Sequence, residues 1–587
     1  MPAGGKSLAR VDTSAIGHRG RRVLGLTACP LMMEVLRANE VRPAARRRIW
    51  ANRRGLRAGT QAKAALDRTE CDGICYPPNR EYLSEGDPMT KRRLIDALFS
   101  LVLLSMVVCG AIQAAENSAQ VTVDWSKVSR VSKMTPTYQV VVNPPLRRGS
   151  TIHDPVFRAV HDLGCDVVRY VPWLPYPKLA VAELEPPKDG KTSWDFSLID
   201  PMTVDFLEAT SGHSVMLNFS TIPQWMFKTP KPVPYPDDPD QPVWDYTQGT
   251  ELRDPSMKEL ADYYARLVSW YTLGGFKDEY GVSHKSSHHY KIDYWEVFNE
   301  VEGEHAMTPK QYTDRYDAVV EALHRVAPHM KFAGLALGGP SRDAEYFEYF
   351  LNHAHHKAGI PLDMITYHFY ATPSADQTPE IQQYTFFEQA DHFLDTVRYV
   401  ESIRQRLSPQ TQTDINELGS IAANDNKSGP RVIPNSYWNL SGALYAYVYA
   451  ELARMGIEYA GESQLVGYPT QYPSVSMVDW VTGQPNARYW VLKLLHDNFG
   501  PGDKLMDTRI NAPYVYARGM VTRDGKHKVL LVNKRDRTFV VSVPGAATGH
   551  VDVVDQQTAF QPPAGGQLRS DEVTLGGLAV AVVTLAK

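Results

Sequence analysis

The sequence predicts an α/β fold, a (β/α)8 TIM barrel with a C-terminal β-sandwich domain. Strand-like and helix-like segments alternate eight times between about 138 and 500. No Gly-rich phosphate turn follows the first strand, which argues against a doubly wound open sheet. After about 505 the helical periodicity stops and short alternating strands run alone.

In order, the candidate barrel strands are 138–142, 166–171, 214–219, 292–298, 331–336, 364–369, 413–416 and 459–464. Helix signals fall between them. Asp254-Pro255 offers an N-cap and a proline at the first helical position, followed by Met257, Leu260, Tyr264, Leu267, Val268 and Tyr271 at helical spacing. Thr308-Pro309 starts another helix, with Tyr312, Tyr316, Val319, Val320 and Leu323 on one face. Further helices are expected over 386–407, 437–454 and 487–498.

The sandwich is expected from strands at 514–521, 528–533, 538–543, 550–554 and 580–585, with Arg523-Asp524-Gly525-Lys526 as a hairpin turn. Residues 121–125 are expected to add a strand to it from the N-terminal side. The resulting division is 1–88 as an upstream extension outside the fold, 89–115 as a signal peptide, and 116–134 as the strand joining the sandwich. The barrel then runs over 135–504 and the sandwich over 505–587.

Composition bounds the function. Of 587 residues, 43% are hydrophobic and 22% charged, which is ordinary globular material with enough apolar residues for a large core. Collagen-like, disordered and disulfide-stapled classes are excluded, and a single long apolar run excludes a multispanning membrane protein. Residues 1–88 carry 16 Lys and Arg against 9 Asp and Glu, so the remainder is more acidic than the overall −4. An acidic bulk argues against nucleic acid or an anionic membrane surface as partner.

Met89-Thr90-Lys91-Arg92-Arg93 precedes an apolar stretch over 97–109 and then Ala111, Ala114 and Ala115. A basic start, a short apolar run and small residues form a secretory signal, with cleavage expected near Ala114 or Ala115 and a retained segment or a lipid anchor at Cys109 as the alternative. The run is shorter than the roughly 20 residues of a spanning helix, so no stable membrane insertion is expected after cleavage. A signal that opens at Met89 makes Met89 the expected start. The expected location is secreted or periplasmic. Only Cys165 of the five cysteines lies beyond the signal, so the mature chain is expected to hold no internal disulfide.

Two glutamates stand at strand ends. The fourth strand runs into Asn299-Glu300, and the seventh ends at Asn416-Glu417. Barrel enzymes build their active sites at that rim. Cleavage of a glycosidic bond needs one acid to protonate the leaving oxygen and one carboxylate across the anomeric carbon. Glu296 reads as a buried, hydrogen-bonded residue. His353, His355 and His356 read as a solvated helix end, because their spacing does not put all three on one helix face. The Pro- and Asp-rich insert 229–248 is either a cleft wall or a surface loop.

The chain resembles clan A glycoside hydrolases, and within them glycoside hydrolase family 39, which includes β-xylosidases and α-L-iduronidases. The motifs are Ser193-Trp-Asp-Phe-Ser-Leu-Ile-Asp200, Trp295-Glu-Val-Phe-Asn-Glu300, Gly338-Gly339-Pro340 and Tyr367-His368-Phe369-Tyr370, with Glu417 on the seventh strand. The resemblance covers about 135–587. It implies a retaining hydrolase of O-glycosidic bonds in an oligosaccharide or polysaccharide, β-xylosidase-like, with no metal or organic cofactor. Glu300 would be the acid/base and Glu417 the nucleophile. An endo-acting polysaccharide hydrolase of the same clan and a non-catalytic carbohydrate-binding barrel are the alternatives.

The resemblance also assigns supporting residues. Asn299 would bond the sugar 2-hydroxyl, His368 and Tyr370 would line the sugar site, and Tyr370 would steady Glu417. Arg169 would support the nucleophile, and Glu462 would bond sugar hydroxyls. Retaining pairs stand about 5.5 Å apart, where two charges repel by roughly 3 kcal/mol at an effective dielectric near 20, favouring one protonated and one ionised carboxyl. Two positions depart from the family: Val301-Glu302 follows Asn299-Glu300 where proline is frequent, and Leu418 stands where an aromatic residue is common. The identity of the sugar is therefore not carried over.

Overall fold

The computed structural model describes residues 117–425 and 432–586. The expected signal peptide and the expected upstream extension lie outside the described residues. Eight parallel strands close a barrel: β1 (Thr135–Val141), β2 (Val168–Val171), β3 (Val215–Leu217), β4 (Tyr294–Val297), β5 (Lys331–Leu337), β6 (Met364–Ala371), β7 (Gln412–Ser420) and β8 (Tyr459–Glu462). A helix follows each strand in turn: α1 (His153–Leu163), α2 (Ile199–Ala209), α3 (Lys258–Thr272), α4 (Pro309–Val326), α5 (Ala344–Phe350), α6 (Pro379–Leu407), α7 (Asn435–Met455) and α8 (Ala487–Asn498). All eight expected strands are present.

Side chains alternate across each strand, so one face of β1 packs Tyr138 and Val140 against the helical layer while Gln139 turns into the barrel. Helix α4 begins as expected, with Thr308 and Gln311 forming a reciprocal capping box and Pro309 at the first position. Helix α3 begins later than Asp254-Pro255 implies. The Asp254 carboxylate accepts from the Ser256 backbone and hydroxyl, making a turn, and Met257 takes a left-handed conformation before the helix opens at Lys258.

Gly275–Lys277 and Ser283–Lys285 pair as a small two-stranded sheet, and nine further strands form one sheet that curls on itself. Ser118–Val131 pairs antiparallel with Lys504–Ile510 and, at its start, parallel with Phe539–Ser542. Its pairing slips between Asp124 and Val128 and again between Val128 and Arg130, and such bulges bend a strand. The flanks enclose a common core of Val121, Val529, Leu531, Phe539, Val541 and Val573, giving the sandwich its interior. Strands at Lys504–Ile510, Ala564–Gln567 and Glu572–Leu575 are not among those expected; the last two are four residues each, and Ala564–Gln567 is Gly-rich. Tyr516 and Arg518 of this sheet bond Glu451 on α7, anchoring it to the barrel. Among the described residues no helix is long and apolar enough to cross a membrane.

Candidate active site

All the expected residues except Glu462 converge at the C-terminal rim of the barrel. Strand β7 runs four residues past the expected end, so Glu417 lies within it rather than closing it. An irregular register between Asp414 and Glu417 re-aims this stretch and sets Glu417 beside His368 of β6. Glu300 follows β4 in a left-handed conformation, φ 38°, two residues after Phe298 at φ 65°. Such backbone is disfavoured for residues with a Cβ and persists where the surroundings over-determine it. The Glu300 N–H bonds the Ala336 carbonyl at 2.9 Å, and a Cβ on Gly338 would meet Glu300 Oε1 at 2.7 Å, so a side chain there would displace the Glu300 carboxyl.

Arg169 of β2 organises the floor. It is buried, and its Nε donates to Glu296 Oε2 at 2.6 Å, Nη1 to Gln139 Oε1 at 2.5 Å and to Glu417 Oε1 at 2.6 Å, and Nη2 to Asn299 Oδ1 at 2.6 Å. Glu296 is fully buried and also accepts from Asn218, Thr366 and Asn416, which accounts for its burial.

The second oxygen of Glu417 accepts from Tyr370 at 2.6 Å. Tyr370 stands 2.5 Å from the Ser463 hydroxyl, and Gln139 Nε2 donates to that hydroxyl at 2.6 Å. Arg169, Gln139, Ser463, Tyr370 and Glu417 thus close a ring of hydrogen bonds that fixes both carboxylate oxygens. Burial opposes ionisation of Glu417, but the charges of His368 and Arg169, with the Tyr370 bond, outweigh it and hold the carboxyl below its ordinary range.

His368 is fully buried between the two glutamates, with Nδ1 3.0 Å from Glu300 Oε1 and 3.6 Å from Glu417 Oε2. Burial disfavours its cation, yet Glu417 and Glu300 raise it above the ordinary histidine range. One oxygen of each glutamate and a ring nitrogen of His368 all lie within 4.8 Å of one another.

A cavity of about 120 Å³ opens over this pair, bordered by Gln139, Trp173, Asn299, Glu300, Tyr370, Glu417 and Tyr472 among others. Its aromatic side was not anticipated. Trp173 meets Trp244 edge-on at 5.4 Å, and Trp244 meets Tyr472 edge-on at 5.8 Å. Trp244 belongs to the insert 229–248, which therefore borders the cleft. Gln139 is a polar residue at an inward position of an apolar strand, and that signal was available in the sequence. Glu302 and Glu304 also join the rim: Glu302 accepts from the Gly339 N–H, and Glu304 accepts from Asn299 and Trp173.

Glu462 is not brought to the cavity. It is fully buried and accepts from Arg488 Nε at 2.9 Å; burial raises it to about 7 against the Arg488 charge. Its expected contact with sugar hydroxyls is corrected accordingly, because a carboxylate engaged in an interior ion pair does not reach the pocket. The three histidines diverge, as their spacing implies, toward Ser408, the Tyr349 carbonyl and Asp317. His356 is buried against Asp317, not solvated.

Residues 256–422 match the family model described as glycosyl hydrolases family 39, a segment that includes both Glu300 and Glu417. No curated protein matches the chain. Among solved structures, the family 51 arabinofuranosidase from Xanthomonas axonopodis pv. citri is 13% identical with a TM-score of 0.55, covering 80% of this chain and 100% of its own. The α-L-arabinofuranosidase from Thermotoga maritima is 14% identical with a TM-score of 0.54, covering 80% and 100%. AbfB, a family 51 α-L-arabinofuranosidase from Bifidobacterium longum, is 12% identical with a TM-score of 0.54, covering 80% and 99%. These likenesses are of fold: a barrel with an accompanying β domain.

Proposed function

We propose that this protein, a glycoside hydrolase whose residues 256–422 match the model of glycosyl hydrolases family 39, is an exported, retaining, β-xylosidase-like enzyme. Glu417 is the nucleophile and Glu300 the acid/base. The observation that supports this most directly is the approach of the two carboxylates to within 4.8 Å, which suits the close pair of a retaining enzyme rather than the wider, water-holding pair of an inverting one.

The chemistry follows from the contacts. Glu417, kept ionised by Arg169, His368 and Tyr370, attacks the anomeric carbon while the leaving oxygen takes a proton from Glu300. The glycosidic C–O bond breaks and an ester to Glu417 forms. Glu300 then takes a proton from water, the water oxygen adds to the anomeric carbon, and the ester bond returns its electrons to Glu417. His368 Nδ1 lies 3.0 Å from Glu300 Oε1 and holds that carboxyl in place for the first step. Asn299, whose carbonyl is occupied by Arg169, turns its amide nitrogen toward the sugar 2-hydroxyl, where a hydrogen bond strengthens in the transition state.

Export rests on the segment 89–115, and the N-terminus of the protein recovered outside the cytoplasm is expected just after Ala114 or Ala115. An aryl 2-deoxy-2-fluoro-β-D-xyloside tests the chemistry: peptide mapping should find the sugar on Glu417, and label elsewhere overturns the assignment. A panel of 4-nitrophenyl β-D-xylopyranoside, α-L-iduronide and α-L-arabinofuranoside tests the sugar. The xyloside should turn over fastest; a faster arabinofuranoside or iduronide replaces the β-xylosidase reading.

A further inference from the structure

We propose that Glu304 is a positioning residue that fixes both the Asn299 amide and the Trp173 indole against the bound sugar. The inference rests on the proposed retaining site and adds to it a residue that makes no contact with the reacting atoms.

Glu304 ends the short turn of helix Val301–Glu304 that follows Glu300. Its Oε1 accepts from Asn299 Nδ2 at 3.0 Å and from Trp173 Nε1 at 2.5 Å, while Oε2 is buried. Asn299 Oδ1 already accepts from Arg169 Nη2, so the amide is held at both ends. One amide hydrogen points to Glu304, and the other remains for the sugar. Trp173 lines the same cavity and leans on Trp244, which in turn meets Tyr472. A single carboxyl oxygen therefore ties the polar wall of the pocket to its aromatic wall.

Burial, joined by the charges of Glu300 and Glu417, raises Glu304 to about 8, although the bonds from Asn299 and Trp173 oppose this. At neutral pH the residue is a neutral acid whose carbonyl-like oxygen accepts both bonds. Glutamine reproduces that oxygen; leucine and alanine remove it. A displaced Asn299 amide weakens a bond that matters most in the transition state, so the loss belongs in kcat and only for a sugar that carries a 2-hydroxyl. A loosened Trp173 weakens binding of any sugar, so its effect belongs in KM.

The test compares Glu304→Leu, Glu304→Ala and Glu304→Gln on the fastest aryl glycoside of the panel above and on its 2-deoxy counterpart; either the leucine or the alanine variant suffices if only one folds. Both should lose about 10- to 100-fold in kcat on the parent glycoside and less than about threefold on the 2-deoxy compound, with KM raised on both. Glu304→Gln should stay within about threefold of the unmodified enzyme on both. Equal losses on the two substrates, no loss at all, or a glutamine variant as impaired as leucine overturns the proposal. Glu417→Ala, assayed alongside, separates the two levels. If it still turns over, the catalytic assignment falls. If it is inactive and the Glu304 pattern is absent, only the present inference falls.

Discussion

Arg169 and Glu417, on the second and seventh strands, meet at 2.6 Å across the interior of the barrel, through the same nitrogen that also holds Gln139. The remaining nitrogens of that guanidinium hold Glu296 and Asn299, so one planar side chain sets the proposed nucleophile, a buried carboxylate and the residue proposed to bind the sugar. Arginine suits this task because its five donors form a rigid fork, which an ammonium does not offer.

Replacing Arg169 with lysine keeps a charge and loses the fork. The expected result is a fall in kcat/KM of about 100-fold or more, because Glu417 is no longer held in place. The acid limb of the pH profile should move to higher pH, since a weaker positive field lets Glu417 keep its proton longer. An unshifted limb would assign Arg169 to folding alone.

Tyr370→Phe removes one hydrogen bond from Glu417 and leaves the cavity shape nearly intact. The acid limb should again move upward, with kcat reduced by about tenfold or more. Ser463→Ala, one link farther along the chain, should shift it less.

Glu462→Ala separates two readings of that residue. Removing one member of the buried pair leaves Arg488 uncompensated and should cost about 3–5 kcal/mol of stability, measured by denaturant unfolding. The KM of the folded fraction should stay within about twofold. A large rise in KM at unchanged stability would return Glu462 to the sugar site.

Glu183 gives a pH-dependent expectation. It is fully buried in the loop after the second strand, and burial, with Glu279 adding and Arg266 opposing, raises it to about 8. Between the ordinary carboxyl range and about pH 8 the folded protein binds a proton that the unfolded chain has released. This group's contribution to stability therefore falls as pH rises through that window. Glu183→Gln does not titrate, so its Tm relative to the unmodified protein should climb by about 2 °C or more from pH 5 to pH 8.5. A constant difference would contradict the raised carboxyl.

The barrel was legible because its strands are apolar runs separated by helices with clear starts, and because Asn299-Glu300 and Glu417 fall toward the C-terminal ends of the fourth and seventh strands. What the sequence did not disclose are links between distant residues. Gln139 and Ser463 are 324 positions apart and meet only once the eighth strand closes on the first. The partner of Glu462 comes from the next helix, so a carboxylate at a strand end read as a rim group. Trp244 lies in a stretch whose prolines and aspartates mark only a loop; its place beside Trp173 depends on how that loop folds back. Asp254-Pro255 signalled a helix start, but the Asp254 side chain spent its bonds on a turn and delayed the helix to Lys258.

The division of labour between the two glutamates is tested most directly by azide rescue of Glu300→Ala on an aryl glycoside. A good leaving group needs little protonation, so the glycosyl ester on Glu417 should still form and then accumulate for want of a base. Azide needs no deprotonation and should restore turnover, giving a glycosyl azide with the anomeric configuration of the substrate. Glu417→Ala should show no turnover to retained product under the same conditions. A product of inverted configuration from Glu300→Ala, or rescue confined to Glu417→Ala, would mean that the two roles are exchanged.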